Sequence, residues 1–371
     1  MGKGQPAMEI VAMRLFDGIY GGRRVLITGH TGFKGSWLAL WLKELGAEVT
    51  GFGLAPPTTP NHWDLVRLPI TDIRADIRDL SAIRQTIHKS HPEIVFHLAA
   101  QPLVRHSYKD PLESWSTNVM GTANLLEACR SAEALRAVVV ITTDKVYVNE
   151  ERPRAYREND RLGGHDAYSA SKAAAELVAE SYRKAFFTKK GNPLVATARA
   201  GNVIGGGDWS SDRLIPDAVR AVSSGHSLET RSPQATRSWF HVLDCLSGYL
   251  CLGQQLLAGN RDFAGAWNFG PSVDDNSSVA NVLSMLQGYW PSLIWHRSEA
   301  EQPHEANLLL LDSSKARALL NWRPLWNLEQ ALAATANWFR HYLDTSETLT
   351  RQQLTSYADA AAERACSWAA R

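Results

Sequence analysis

Cysteine is scarce in this chain. Its four residues in 371, Cys129, Cys245, Cys251 and Cys366, form no CxxC pair and no cluster with histidine. That pattern excludes a disulfide framework and a zinc site, and reads as thiols in a reducing compartment. A charge excess is missing too: 39 basic residues against 38 acidic ones leave a net charge of +1. Nothing therefore marks a nucleic-acid surface or a polybasic membrane patch. No apolar run is long enough to span a bilayer, and the apolar residues near the start are broken by Glu9, Arg14 and Asp17, unlike a signal h-region. The expected location is the cytoplasm. Internal repeats, low-complexity segments, metal-ligating clusters and nucleophilic triads are absent as well.

What is present is a series of buried strands that end in chemistry. Val138 to Ile141 is a β-branched run, the pattern of a strand covered on both faces of a parallel sheet. It passes directly into Thr142, Thr143, Asp144 and Lys145, where a polar turn after a core strand is the plain alternative. In open α/β sheets ligands bind beyond the carboxyl ends of strands. Tyr168 and Lys172 follow at i, i+4 spacing, on one face of a predicted helix.

Near the start, Arg23 to Thr28 reads as a strand, Gly29 to Gly35 as a glycine turn, and Ser36 to Lys43 as an amphipathic helix. Strand, glycine turn and helix together point to a dinucleotide pyrophosphate held at the helix N-terminus. The next strand, Glu48 to Gly53, ends without the acid that usually grips an adenosine ribose, and no arginine stands there for a 2′-phosphate. Residues 54–71 read as a loop. Asp79 reads as a helix cap before Leu80. Pro92 to Gln101 is a further buried strand, in which His97 reads as a satisfied core histidine, and Ser116 to Ala128 a long helix. Strands alternating with helices up to about residue 200 predict an α/β fold, a Rossmann-type doubly wound parallel sheet, with a smaller, mixed C-terminal substrate domain. The expected division is an N-terminal extension (1–22), a dinucleotide-binding domain (23–200), a mostly substrate-binding domain with some segments returning to the sheet (201–345), and a helical tail (346–371). The 13 tryptophans are expected to serve packing.

The GxxGxxG spacing resembles the extended short-chain dehydrogenase/reductase family, which modifies nucleotide sugars. The resemblance implies NAD, held by Gly29, Thr31, Gly32, Phe33, Lys34, Gly35, Asp76, Ile77, Leu98, Ala99, Ala100, Asn118, Thr142, Tyr168 and Lys172. It implies a catalytic set of Thr143, Tyr168 and Lys172. The family's sugar 4,6-dehydratases carry Thr-Asp-Glu where this chain has Thr143, Asp144 and Lys145; that variant is similar to the branch acting on CDP-glucose. The implied substrate contacts are Gln101, Thr143, Asn202, Arg213, Leu214 and Arg237.

The implied chemistry is an internal redox cycle. Tyr168 deprotonates the C4 hydroxyl while NAD⁺ takes the hydride, Lys145 removes the C5 proton, and protonated Asp144 releases the C6 hydroxyl as water. A free tyrosine titrates near 10, about three units too high for a base at neutral pH, so the Lys172 cation and the nicotinamide are expected to favour its phenolate. Lys145 must be neutral to act as a base, which burial near Lys172 would favour; otherwise it only binds substrate. Two rivals stand beside this reading: a 4-epimerase or simple dehydrogenase, for which Asp144 is superfluous, and a non-catalytic NAD-sensing scaffold. By family, a homodimer or higher homo-oligomer through the helices near 116–130 and 168–186 is expected, although their apolar faces equally suit packing within one chain.

Overall fold

The computed structural model describes residues 15–272, 275–299 and 308–369. A seven-stranded parallel sheet runs through its centre in the order β10-β6-β5-β4-β1-β2-β3. The strands are β1 (Arg24–Thr28), β2 (Glu48–Gly53), β3 (Thr71–Arg74), β4 (Ile94–His97), β5 (Ala137–Ile141), β6 (Leu194–Ala200) and, arriving late in the chain, β10 (Ala266–Phe269). Neighbours in sequence reverse direction of growth at β1, which opens a crevice at the carboxyl ends of β1 and β4. Two apolar layers cover the sheet. Leu26, Val95, Val138, Val140 and Val195 face one cluster with Ile83, Leu125 and Ala179. Val25, Ile27, Phe96, Val139 and Ile141 face the other, with Trp37, Trp41 and Leu246. Double coverage explains why the strands are continuously apolar.

The helices that matter for the site are α1 (Phe33–Glu44), α2 (Leu80–Ser90), α3 (Gly121–Cys129), α4 (Ala167–Ala185) and α5 (Leu214–Ser224). Asp79 caps α2, accepting from Ser81 N and Ala82 N. Outside the main sheet, β7 (Asn202–Ile204), β9 (Thr236–His241) and β11 (Asn276–Ser278) form a small mixed sheet, and β8 (Leu228–Thr230) pairs with β12 (Trp295–Arg297).

Several boundaries differ from expectation. Residues 54–71 hold a short helix, His62–Val66, because Asn61 caps it by accepting from Asp64 N. β4 stops at His97, with one last backbone bond from Leu98 N to Thr28 O at 3.0 Å. The helix expected from Ser116 begins as a π-turn, Ser116–Met120, before α3. Residues 1–14 of the expected N-terminal extension lie outside the described residues. From Leu15 onward that segment is core: Phe16 stacks on Trp368 at 5.1 Å, and the Tyr20 hydroxyl donates to Leu250 O at 2.6 Å. Residues 346–369 fold back over the same cluster, with Thr350–Glu363 helical; residues 370–371 lie outside the described part. Trp37, Trp41, Trp267, Trp322 and Trp338 are all fully buried. No described helix is long and apolar enough to cross a membrane.

Candidate active site

The glycine turn is dictated by space. Gly29 has φ +73°, and a β-carbon on it would lie 2.6 Å from Ala99 N at the end of β4. A β-carbon on Gly35 would fall 2.1 Å from Gly29 O. Gly32 caps α1 in extended conformation. The first amides of a helix have no partner within it, so Phe33, Lys34 and Gly35 present N–H groups and the positive end of the dipole to the crevice. This cradle fits a dinucleotide pyrophosphate. Leu98, Ala99 and Ala100 lie half-buried beside it. Thr31 Oγ1 donates to Leu54 O at 3.0 Å. Asp76, expected to help hold the cofactor, is gripped by Arg78 through a fork at 2.6–3.0 Å, which holds its carboxyl low. Ile77 beside it is buried against Gly121.

His97 is a core residue. Its ring nitrogens meet Thr28 Oγ1 at 2.7 Å and Thr122 Oγ1 at 3.1 Å, and burial drives its pKa down to about 3. Asn118 sits in the π-turn and clamps two elements together. It accepts from Gln101 N at 2.9 Å and donates to Gln101 O at 3.1 Å and Ser171 Oγ at 2.9 Å. Gln101, expected at the substrate, spends its side chain on Leu103 and Ser114.

The catalytic candidates converge at the end of β5 on a cavity of about 660 Å³, within the usual range for enclosed small-molecule sites, roughly 300–1,000 Å³. Its walls include Lys34, Thr142, Thr143, Asp144, Lys145 and Tyr168, together with Asn202, Arg213, Leu214 and Arg237. Thr143 donates to Asp144 Oδ1 at 2.8 Å and accepts from Lys145 N at 3.3 Å. Lys145 Nζ stands 3.7 Å from the same carboxylate oxygen, its side chain 24% exposed against 3% for Asp144. Lys145 is thus open to the cavity, not buried as expected. Burial pushes the Tyr168 phenol up to about 12; its hydrogen bond to Thr143 and the charge of Arg213 pull it down, while Asp144 raises it. The cation acting on the phenol in the free protein is Arg213, from the cap of α5, itself held by Asp208 at 3.0 Å. Lys172 instead donates to Ile141 O at 3.0 Å, and burial, aided by Lys34, brings its ammonium down to about 7.

Behind these groups lies a buried ionic network that the sequence reading did not single out. Glu176 and Arg199 form a fork at 2.9 Å, and Glu176 also accepts from Thr142 and Thr197 at 2.6 Å. Thr142, expected at the cofactor, therefore has its hydroxyl committed to the wall. Arg199 reaches the Tyr147 hydroxyl at 2.7 Å, which donates to Asn268 at 2.7 Å. A signal was available: Glu176 lies four residues beyond Lys172, and Arg199 is the lone cation in an apolar strand. All four cysteines are free, and no metal-holding group exists among the described residues.

Residues 26–335 match the family described as GDP-mannose 4,6 dehydratase. The chain is 44% identical over 354 residues to CDP-glucose 4,6-dehydratase of Salmonella typhimurium, covering 91% of this chain and 97% of that protein. Among solved structures, UDP-glucuronic acid 4-epimerase from Bacillus cereus, in complex with UDP-glucuronic acid and NAD, is 26% identical with a TM-score of 0.74, covering 85% of this chain and 99% of the other. The epimerase Mth375 of Methanothermobacter thermautotrophicus shares the fold at 21% identity and a TM-score of 0.79, covering 94% and 99%.

Proposed function

This chain belongs to the GDP-mannose 4,6-dehydratase family of nucleotide-sugar enzymes, and from that premise we propose that it is an NAD-dependent hydro-lyase converting CDP-D-glucose to CDP-4-dehydro-6-deoxy-D-glucose. The observation that carries the reading is the Asp144–Lys145 pair standing beside Thr143 at the cavity that Tyr168 lines. Oxidation and epimerisation need only Thr143, Tyr168 and Lys172; a carboxyl group and an amine in addition supply an acid and a base for elimination.

NAD bound at the glycine turn supplies a hydride acceptor that later returns the hydride. The rest belongs to side chains. Thr143 positions the C4 hydroxyl and Tyr168 takes its proton, with Arg213 favouring the phenolate. The C4 ketone acidifies C5, whose proton passes to Lys145. Asp144 gives its proton to the C6 hydroxyl, which leaves as water. Hydride then enters at C6 and a proton at C5, so the net change is loss of one water. Lys145 Nζ and Asp144 Oδ1 stand 3.7 Å apart, so the base and the acid of the elimination face the same sugar carbons from adjacent positions.

Residues 23–200 are assigned to cofactor binding and 201–345 mostly to the nucleotide sugar, with Asn202, Arg213, Leu214 and Arg237 lining the same cavity as Tyr168; the guanidinium forks suit a diphosphate. A cytoplasmic homodimer is further inferred. Leu112, Trp115, Met120, Leu177 and Phe186 expose apolar surface on or beside the helices expected to pair, and mass in solution tests this. The activity is tested with CDP-, dTDP-, UDP- and GDP-glucose. Dehydration of CDP-glucose ahead of the others supports the proposal; an unchanged mass with inverted C4 makes the protein an epimerase.

A further inference from the structure

Most of the carboxylates that line the cavity are already occupied. Asp144 accepts from Thr143, and Asp166 caps α4, accepting from Ser169 N at 2.9 Å and Ser169 Oγ at 2.7 Å. Asp208 grips Arg213, Asp212 accepts from Arg105 at 2.9 Å, and Asp217 pairs with Arg220. Glu229 differs from them. It lines the same cavity, is exposed, and makes no hydrogen bond or ion pair among the described residues. An ionised carboxylate only accepts hydrogen bonds, so this one is free to meet a donor on a ligand.

The wall that carries Glu229 shows which part of a ligand it meets. Arg213, whose charge reaches the Tyr168 phenol, caps α5, and Asp217 N donates to Arg213 O at 2.9 Å one turn along. Burial raises the Asp217 carboxyl, and Arg231 is near enough to pull against that rise. Glu229 stands two residues before Arg231, in the middle of β8, which packs on α5. Its neighbours Leu228 and Thr230 are buried while it is not, as strand alternation requires. The wall thus leads from the phenol, along the first turn of α5, to β8. A nucleotide sugar with its C4 hydroxyl at Tyr168 and its diphosphate on Arg213 and Arg237 has its base at that far end. Leu228 and Val279, whose N–H donates to Ala235 O at 3.1 Å, also line the cavity and offer apolar surface to a flat ring.

We propose that Glu229 selects the base of the nucleotide sugar, its carboxylate accepting a hydrogen bond from the exocyclic amine of cytosine. This rests on the proposed CDP-glucose activity and deepens it. Cytosine carries an amine at C4, a donor, where uracil and thymine carry a carbonyl oxygen, an acceptor. The carboxylate that bonds the amine sets lone pair against lone pair with that oxygen. One side chain therefore attracts cytosine and rejects its rivals.

The test titrates the full chain at saturating NAD⁺ with CDP and with UDP by calorimetry, for the native protein, Glu229→Gln and Glu229→Ala. The native protein should bind CDP more tightly than UDP by about tenfold or more. In Glu229→Gln the amide can turn to accept from an amine or donate to a carbonyl, so the ratio should fall to about threefold or less. Glu229→Ala should weaken CDP by about tenfold, the weight of one charge-assisted contact, without weakening UDP. A native preference that both substitutions leave in place overturns the proposal while the CDP-glucose activity stands. Equal weakening of CDP and UDP marks a disturbed wall and overturns it too. A native protein with no preference for CDP, and no faster dehydration of CDP-glucose than of UDP-glucose, overturns the proposal together with the activity it rests on.

Discussion

Asp144 and Lys145 divide one elimination between them, and their separation predicts distinct defects. Asp144→Asn keeps the shape but cannot donate to the C6 oxygen, so dehydration should fall by a factor on the order of 10²–10⁴. C4 oxidation should survive, seen as a persistent reduced-nicotinamide absorbance on adding substrate. Arg213 offers a second test, because its charge lowers the Tyr168 phenol. Without it the phenol titrates higher, so in Arg213→Leu the acidic limb of the kcat–pH profile should move to higher pH. A role confined to substrate binding would raise KM and leave that limb unmoved. At this scale the sequence was most informative where chemistry is local: Thr143, Asp144 and Lys145 adjoin along the chain, and Tyr168 and Lys172 share a helical face. It named Lys172 as the cation at the phenol, whereas the charge that lowers the phenol here is that of Arg213, which arrives from a different element through a fold-dependent approach.

Between elements, the site depends on close approach and on buried polar clamps. Gly35→Ala places a methyl 2.1 Å from Gly29 O, so the turn must open. The variant should lose dinucleotide binding in calorimetry even where circular dichroism remains native. The Glu176–Arg199 fork ties α4 to β6, with both side chains nearly inaccessible. Glu176→Ala leaves a buried guanidinium unpaired and should cost about 3–5 kcal/mol in urea unfolding. Glu176→Gln keeps one acceptor and should cost less. The strands were legible from their β-branched runs, and α1 from its setting after a glycine turn. The π-turn at Ser116–Met120 was not, because Asn118 distorts the helix to reach Gln101 and Ser171, contacts distant in sequence. Nor was β3, whose four residues carry only one apolar side chain, Ile73, and whose place is set by pairing with β2.

Over the whole molecule, the first and last described segments close on one cluster, and Asp244 anchors it. Its carboxylate accepts from Leu325 N at 2.5 Å and from the Tyr357 hydroxyl at 2.7 Å, and burial lifts its pKa to about 7. An unfolded Asp titrates near 3.9. Because the folded value is the higher one, the native state holds the proton longer, and this group's contribution to stability is greatest below about pH 4. It should then decline as pH rises towards about 7, by on the order of 4 kcal/mol for three units. Asp244→Asn should flatten that decline in melts run across pH 4–8. This closure was the least legible feature: aromatic pairs such as Phe16 with Trp368 span nearly the whole chain and leave no periodic mark. The central claim is elimination within an internal redox cycle, and the most direct measurement is the product formed from CDP-glucose and NAD⁺ in D₂O. The account predicts a sugar lighter by one water, with a methyl at C6, one solvent deuteron at C5 and no net reduced cofactor. A product of intact hexose mass, or accumulating reduced cofactor without loss of water, would contradict it.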